Sequence, residues 1–295
     1  MVEGAYTPRW IGRLPLAILP LGALAVGNRL PAWAFMWALA FAIYAGLKWE
    51  SWWRARTQIP HAEAWRSAAY LVAWPGMDAE SFLHAGPPVP LPGLLAWIGA
   101  VSETLLGVIL LWVVARRIPE GQPLVRGWVG MAGLILLLHF GAFKIAALFW
   151  QRLGVDARPI MDAPLGSTSL SEFWGRRWNL GFHQVAYNMI FAPLHKRLGV
   201  GAAGFLVFVV SGLVHDLVIS LPARGGYGLP TTYFVVQGVG AALERSVFGK
   251  KLGLRRGLRG WLFTAAFTAG PAFWLFHPPF VLRVILPFMQ AIHAL

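Results

Sequence analysis

Long apolar stretches dominate the chain, separated by short basic or aromatic connections. Eight apolar runs stand out, at 11–27, 32–48, 93–114, 128–150, 200–221, 230–248, 259–276 and 280–294. A helix that spans a bilayer needs about 20 apolar residues, within a range of about 17–25. The pattern predicts an all-α, polytopic membrane helix bundle of about eight spans, folded as one membrane-embedded domain over 1–295. The first two runs and the last are short for a span, which suggests tilted pairs or partly interfacial segments. The first run, flanked by Arg9 and Arg13, has the shape of a signal peptide. A second run follows after only Asn28-Arg29-Leu30-Pro31. The expectation is therefore a helical hairpin rather than a cleaved leader.

Composition agrees with this pattern. Of the 295 residues, 57% are hydrophobic and 13% charged, and the mean hydropathy is +0.59. Soluble domains carry about 25% charged residues, so this chain has too few to cover a water-facing surface. The absence of cysteine excludes disulfides, thiolate zinc sites and a cysteine nucleophile. The formal net charge is +13. In a membrane protein such an excess reflects basic cytoplasmic loops facing anionic lipid, and no nucleic-acid partner is expected. With the N-terminus in the cytoplasm, the basic clusters at 48–66, 152–197 and 245–259 all fall on the inner side. Arg29, Arg116, Arg117, Arg126 and Arg224 fall outside. Both termini are expected to be cytoplasmic.

The segments 49–92 and 151–199 are long, yet rich in tryptophan: Trp49, Trp52, Trp53, Trp65, Trp74, Trp150, Trp174 and Trp178 flank or fill them. Such rings suit the headgroup level. Interfacial or re-entrant helices are expected there.

Ionisable residues inside apolar runs are costly and often functional. Glu103 and Lys144 lie at depths that differ by roughly 6 Å at 1.5 Å rise per residue, within the reach of a lysine. They form either a structural ion pair or part of a proton or substrate path. His139 lies in LLLHFGAFK. His215 lies in FVVSGLVHDLVIS, with Ser211 and Gly212 four and three residues before it on the same helical face. That small face leaves room for a ligand or for a close helix. A neutral imidazole is the cheapest general base to bury. Asp216 points about 100° away around the helix, toward a basic residue elsewhere or toward water.

The most polar stretch between these runs is Ser169 to Phe182, SLSEFWGRRWNLGF. Its SLSE matches a capping box, with Ser169 as cap and Glu172 reaching back to the cap amide. On a continuous helix Gly175, Asn179 and Phe182 or His183 share one face, and Trp174 and Trp178 another. Taken alone, this is an interfacial helix with Trp at the headgroups and Arg176 and Arg177 on lipid phosphate.

FWGRRWN, followed 36 residues after Asn179 by His215 in SGLVHD, resembles the wax-synthase-like branch of the membrane-bound O-acyltransferase family. The resemblance extends to WPGMD at 74–78, and HFGAFK and VDARPIMDAP look like bacterial members. One position departs: plant members commonly read His-Glu where this chain reads His215-Asp216. The resemblance implies an enzyme of lipid metabolism that moves an acyl group from acyl-CoA to a lipophilic hydroxyl acceptor such as a long-chain alcohol. It implies His215 and Asn179 as catalytic residues in a multi-pass protein of the bacterial inner membrane. Arg176 and Arg177 would meet the phosphates of acyl-CoA, and Trp174, Trp178, Ser211 and Asp216 would line the substrates. Acyl-CoA is then a co-substrate, and neither a cofactor nor a metal is expected. The alternative is a transporter or flippase that uses Glu103, Lys144 and His215 for protons or head groups.

Overall fold

The structure, a computed structural model, describes residues 11–86 and 89–295; Arg9 lies outside them. Among the described residues every regular element is helical. In lipid this is expected, because each backbone N–H and C=O must find a partner within its own segment.

Helices α1 (Leu14–Val26) and α2 (Ala32–Gln58) form the expected hairpin. Gly46 of α2 rests on the Leu16 backbone of α1, which only a residue without a side chain permits. Helix α2 runs on to Gln58, past the predicted end at 48, because its polar face has partners. Tyr44 Oη donates to the carbonyls of Trp74 and Pro75 at 3.3 and 3.2 Å. Lys48 Nζ donates to the Gly76 carbonyl. Ser51 Oγ lies 2.7 Å from Tyr70 Oη. These bonds clasp the WPGMD loop between α3 (Ala64–Ala73) and α4 (Ala79–Leu83).

Two tryptophans expected at the headgroups are in fact core. Trp74 is 3% exposed and stacks on Phe82 at 6.2 Å. Trp150 meets Phe82 at 5.2 Å and donates from Nε1 to the Ala73 carbonyl at 3.1 Å. Aromatic surface of this size gains more by packing than by lying in an interface.

Helices α5 (Leu94–Arg117) and α6 (Pro123–Arg152) cross where Gly107 meets Gly133. A Cβ on Gly107 would lie 2.8 Å from the Gly133 carbonyl oxygen. Such small-residue contacts let membrane helices pack backbone to backbone. Lys144 Nζ pairs with Glu103 Oε2 at 3.0 Å across the same seam, so the ion-pair reading holds.

A short helix, α7, covers 170–177. Then follow α8 (Leu180–Ala223), α9 (Leu229–Arg245), α10 (Val247–Leu252), α11 (Gly257–Leu275) and α12 (Pro278–Ala291). At 44 residues, α8 would be roughly 66 Å long if straight, twice the hydrocarbon thickness. It breaks at Gly199, whose φ of 79° lies in the left-handed region that glycine tolerates.

Each of the eight predicted runs falls on a helix, but the count of eight spans is not confirmed. Among the described residues, five helical stretches are individually long and apolar enough: Ile11–Arg29, α2, α5, α6 and α8. Helices α11 and α12, bent by 58°, add a sixth if taken as one broken span. Helix α9, with 17 residues and a buried Gln237 and Glu244, falls short. The chain is an integral membrane protein. Its largest buried cluster includes Leu111, Met131, Tyr233, Phe234, Val281 and Met289, from α5, α6, α9 and α12.

Candidate active site

His215 sits on α8, half-buried, and its Nδ1 lies 2.7 Å from the Ser211 carbonyl oxygen. A carbonyl can only accept, so Nδ1 carries the ring proton and Nε2 keeps a free lone pair. The hydroxyl of Ser211 has no part in this bond; its backbone sets the tautomer. The imidazole packs against Phe234 of α9, with ring centroids 4.4 Å apart. The small face before His215 therefore admits a close helix. A Cβ on Gly212 would stand 2.7 Å from Thr231 Cα and 3.3 Å from Phe234 Cβ.

Asp216 does not meet a basic residue. Its Oδ1 accepts from the Gly228 amide and from Ser220 Oγ, both at 2.8 Å. Its Oδ2 accepts from the Thr231 amide at 3.0 Å and from the Thr231 hydroxyl. The carboxylate thus caps the N-terminus of α9, where orphan amides and the helix dipole favour negative charge. The turn beginning at Asp216 widens into a π segment, Asp216–Ser220, a feature frequent at functional sites.

The FWGRRWN stretch folds differently from one continuous helix. Ser169 Oγ accepts from the Glu172 amide at 3.1 Å, as the capping box predicts. Glu172 Oε2 instead reaches the Thr168 amide, at 2.8 Å. The α turn then widens into a π turn over Phe173–Arg177, and the chain reverses. Trp178 is extended and Asn179 is left-handed, with φ 47° and ψ 58°. Asparagine is among the few residues that enter this region readily. The predicted shared faces of Gly175 with Asn179, and of Trp174 with Trp178, are therefore not formed. The reversal is held by backbone bonds to the preceding loop: the Asp162 amide donates to the Arg177 carbonyl at 2.8 Å and the Leu180 amide to Ile160 at 2.9 Å.

These folds separate the two arginines. Arg177 is occupied: its Nε donates to Glu172 Oε1 at 2.8 Å, and its Nη1 to the Ala163 carbonyl at 3.2 Å. The Thr168 amide, then Arg177, hold the Glu172 carboxyl below the usual carboxylate range. Arg176 is exposed and makes no hydrogen bond within the described residues.

Trp174 is not at the headgroups. Its Nε1 donates to Gln237 Oε1 at 3.2 Å, and its ring lies 5.5 Å from Phe234. Trp178 stacks on Phe173 at 5.4 Å and meets Phe140 edge-on at 6.4 Å. Phe234 is thus shared: one ring touches both His215 and Trp174.

Helix α9 is the element that sequence reasoning undervalued. Along one stripe, Thr231 binds Asp216, Phe234 wedges His215 against Trp174, and Gln237 binds Trp174. One further turn along, Gly240 admits the Leu170 side chain. Glu244, 0% exposed, accepts the amides of Leu170 and Ser171 at 2.7 and 2.9 Å. The visible signal was Gln237 and Glu244, seven residues apart and so on one face of an otherwise apolar run.

Asn179 immediately precedes α8, the helix that carries His215 beyond its break at Gly199. Gly181 lies against Met77 of the WPGMD loop. Met77 is buried with Val185, and Val214, Leu217 and Val218 of the His215 region pack against that cluster. No hydrogen bond joins Asn179 to His215, and the Asn179 side-chain amide makes none within the described residues. An open cavity of about 690 Å³ lies elsewhere, beside Gln58, Glu80, His84 and Arg158.

The sequence model of the membrane bound O-acyl transferase family matches residues 157–236. This stretch holds the FWGRR turn, Asn179, His215, Asp216, Thr231 and Phe234. The chain is also similar to a long-chain-alcohol O-fatty-acyltransferase of Simmondsia chinensis, 33% identical over 141 residues, which are 44% of this chain and 40% of that protein. A probable long-chain-alcohol O-fatty-acyltransferase 7 of Arabidopsis thaliana is 31% identical over 164 residues, 50% of this chain and 47% of that protein. A probable long-chain-alcohol O-fatty-acyltransferase 1 of the same plant is 32% identical over 186 residues, 59% and 51% of the two chains. The chain thus spans about half the length of the curated relatives it matches. The family resemblance carried by FWGRRWN and SGLVHD holds: the model of the membrane bound O-acyl transferase family matches the segment 157–236, which contains both.

Proposed function

We propose that this protein is an acyl-CoA-dependent O-acyltransferase. It moves a fatty acyl group to a lipophilic alcohol, such as a long-chain alcohol, and works as a single membrane-embedded domain. The observation that carries this reading is the His215 ring, with Nδ1–H tied to the Ser211 carbonyl and Nε2 left free. The matched family segment and relatives named for transfer of fatty acyl groups to long-chain alcohols support it.

In the proposed reaction the acceptor O–H gives its proton to His215 Nε2 as its oxygen attacks the thioester carbonyl carbon. The C–S bond breaks, the ester is released, and the CoA thiolate takes the proton back from His215. General base catalysis of this kind contributes about 10²–10⁴-fold. The free side-chain amide of Asn179 orients the acceptor or donates to the carbonyl oxygen as charge develops. One such donor is worth about 2.7–4 kcal/mol. The exposed Arg176 meets the phosphates of acyl-CoA at the cytoplasmic rim. Both termini are cytoplasmic, following the basic loops, in the inner membrane of a bacterium. Acyl-CoA serves as co-substrate, and the transfer calls on no resident cofactor. The transport alternative has nothing to support it, since Glu103 and Lys144 close on each other.

The test is transfer from labelled palmitoyl-CoA to a panel of alcohols by the purified protein. His215→Ala should lose product while extracting and unfolding like the unaltered protein. Full activity in that variant removes His215 from the mechanism.

A further inference from the structure

Asp216 belongs to a hydrogen-bond relay that joins three helices. The Phe280 amide donates to His277 Nδ1 at 3.2 Å. In the neutral ring the proton therefore sits on Nε2, which faces Ser220 Oγ at 3.2 Å. Ser220 Oγ accepts there and gives its own hydrogen to Asp216 Oδ1 at 2.8 Å. His277 and Ser220 are both 0% exposed, and the relay leaves no donor unmatched. Its far end grips Gly228 and Thr231 at the start of α9.

Thr231 is also the residue whose backbone Gly212 touches, and Phe234 follows it by three positions on the same face. The carboxylate and the glycine contact thus close one seam from two sides. That seam decides where the Phe234 ring stands relative to His215. We propose that Asp216 is the positioning residue of this site. Through Thr231 it fixes α9 so that Phe234 holds the imidazole, with Nδ1–H on Ser211 and Nε2 toward substrate. The inference rests on the reading of His215 as the base, and it gives Asp216 a task other than touching substrate. Acids in such places act by geometry: a misplacement of 1 Å costs about a hundredfold in rate.

The full-length protein carrying Asp216→Asn, Thr231→Val or Thr231→Ser is assayed with palmitoyl-CoA and hexadecanol. In parallel, carbethoxylation of His215 by diethyl pyrocarbonate is followed by peptide mass spectrometry. Asp216→Asn should lower kcat about a hundredfold with KM for both substrates unchanged, and Thr231→Val should do so in part. Thr231→Ser, which keeps the hydroxyl, should retain the original kcat. The carbethoxylation rate should change in Asp216→Asn and Thr231→Val and stay constant in Thr231→Ser. Unaltered kcat and carbethoxylation in Asp216→Asn overturn the proposal. So does loss of folded Asp216→Asn protein alongside a Thr231→Val variant that matches the original. If the unaltered protein transfers no acyl group, the functional reading fails, while the carbethoxylation series still decides the positioning role.

Discussion

Gly212 and Thr231 lie backbone to backbone: a Cβ on Gly212 would stand 2.7 Å from Thr231 Cα. Main chain cannot swing aside as a side chain can, so Gly212→Ala must spread α8 from α9. Overpacking of this kind costs about 1–3 kcal/mol. The variant should melt earlier in detergent. Because Phe234 rides on α9, it should also lose kcat beyond its loss of folded protein. Specific activity normalised to folded fraction checks this.

Glu244 is buried with the amides of Leu170 and Ser171 as its partners. Glu244→Ala strands both donors, at about 1–3 kcal/mol for each buried unsatisfied group. The predicted outcome is loosening of the 170–177 turn, seen as faster proteolysis near Arg176, with stability lowered. Unchanged proteolysis would show that the turn is held from elsewhere.

Arg176 and Arg177 are adjacent yet should behave differently. Arg176→Gln should raise KM for acyl-CoA and leave the melting temperature alone. Arg177→Gln frees Glu172 and the Ala163 carbonyl, so it should lower stability with KM nearly constant. Equal KM effects from the two would contradict the division drawn from their contacts.

The depressed pKa of Glu172 has a pH signature. Its carboxylate is favoured by the Thr168 amide and by Arg177 in the folded chain. The stability it adds is therefore present above the unfolded value of about 4.3 and lost as pH falls through the lower folded value. Against Glu172→Gln, the unaltered protein should melt higher at neutral pH. That advantage should vanish under acid conditions below the carboxylate range.

The pair of Glu103 and Lys144 offers a contrast between structure and function. Each single neutralisation, Glu103→Gln or Lys144→Met, leaves the other charge without its partner at a helix seam. The double variant should be more stable than either single one, with a coupling of about 0.5–3 kcal/mol. Acyl transfer by the double variant should stay near the original rate. Loss of transfer there would return the pair to the reaction.

Much of this molecule is legible from one dimension. Hydrophobic run lengths place the helices, because a bilayer demands long apolar segments with internally bonded backbone. The capping Ser169 and the hairpin of α1 and α2 are local, and spacing is enough to find them, while Lys144 and Glu103, 41 positions apart, could be matched only by their similar depths. His215 stands out as an imidazole in an apolar run, and Asn179 through the motif around it.

The rest depends on contacts between segments far apart in the chain. Asp216 reads as a charge in need of a base, yet it caps α9, since a helix start twelve residues on presents free amides at the right place. Trp174 reads as an anchor, yet Gln237, 63 positions away, takes its N–H inside the bundle. The break at Trp178 and Asn179 is dictated by bonds from the 160–162 loop, which no helical period reveals. Sequence singled out the candidate residues and determined that they lie in a membrane bundle. Only tertiary structure decided that α9 joins them, because a helix's partners are chosen by shape and unsatisfied polar groups rather than by its own periodicity.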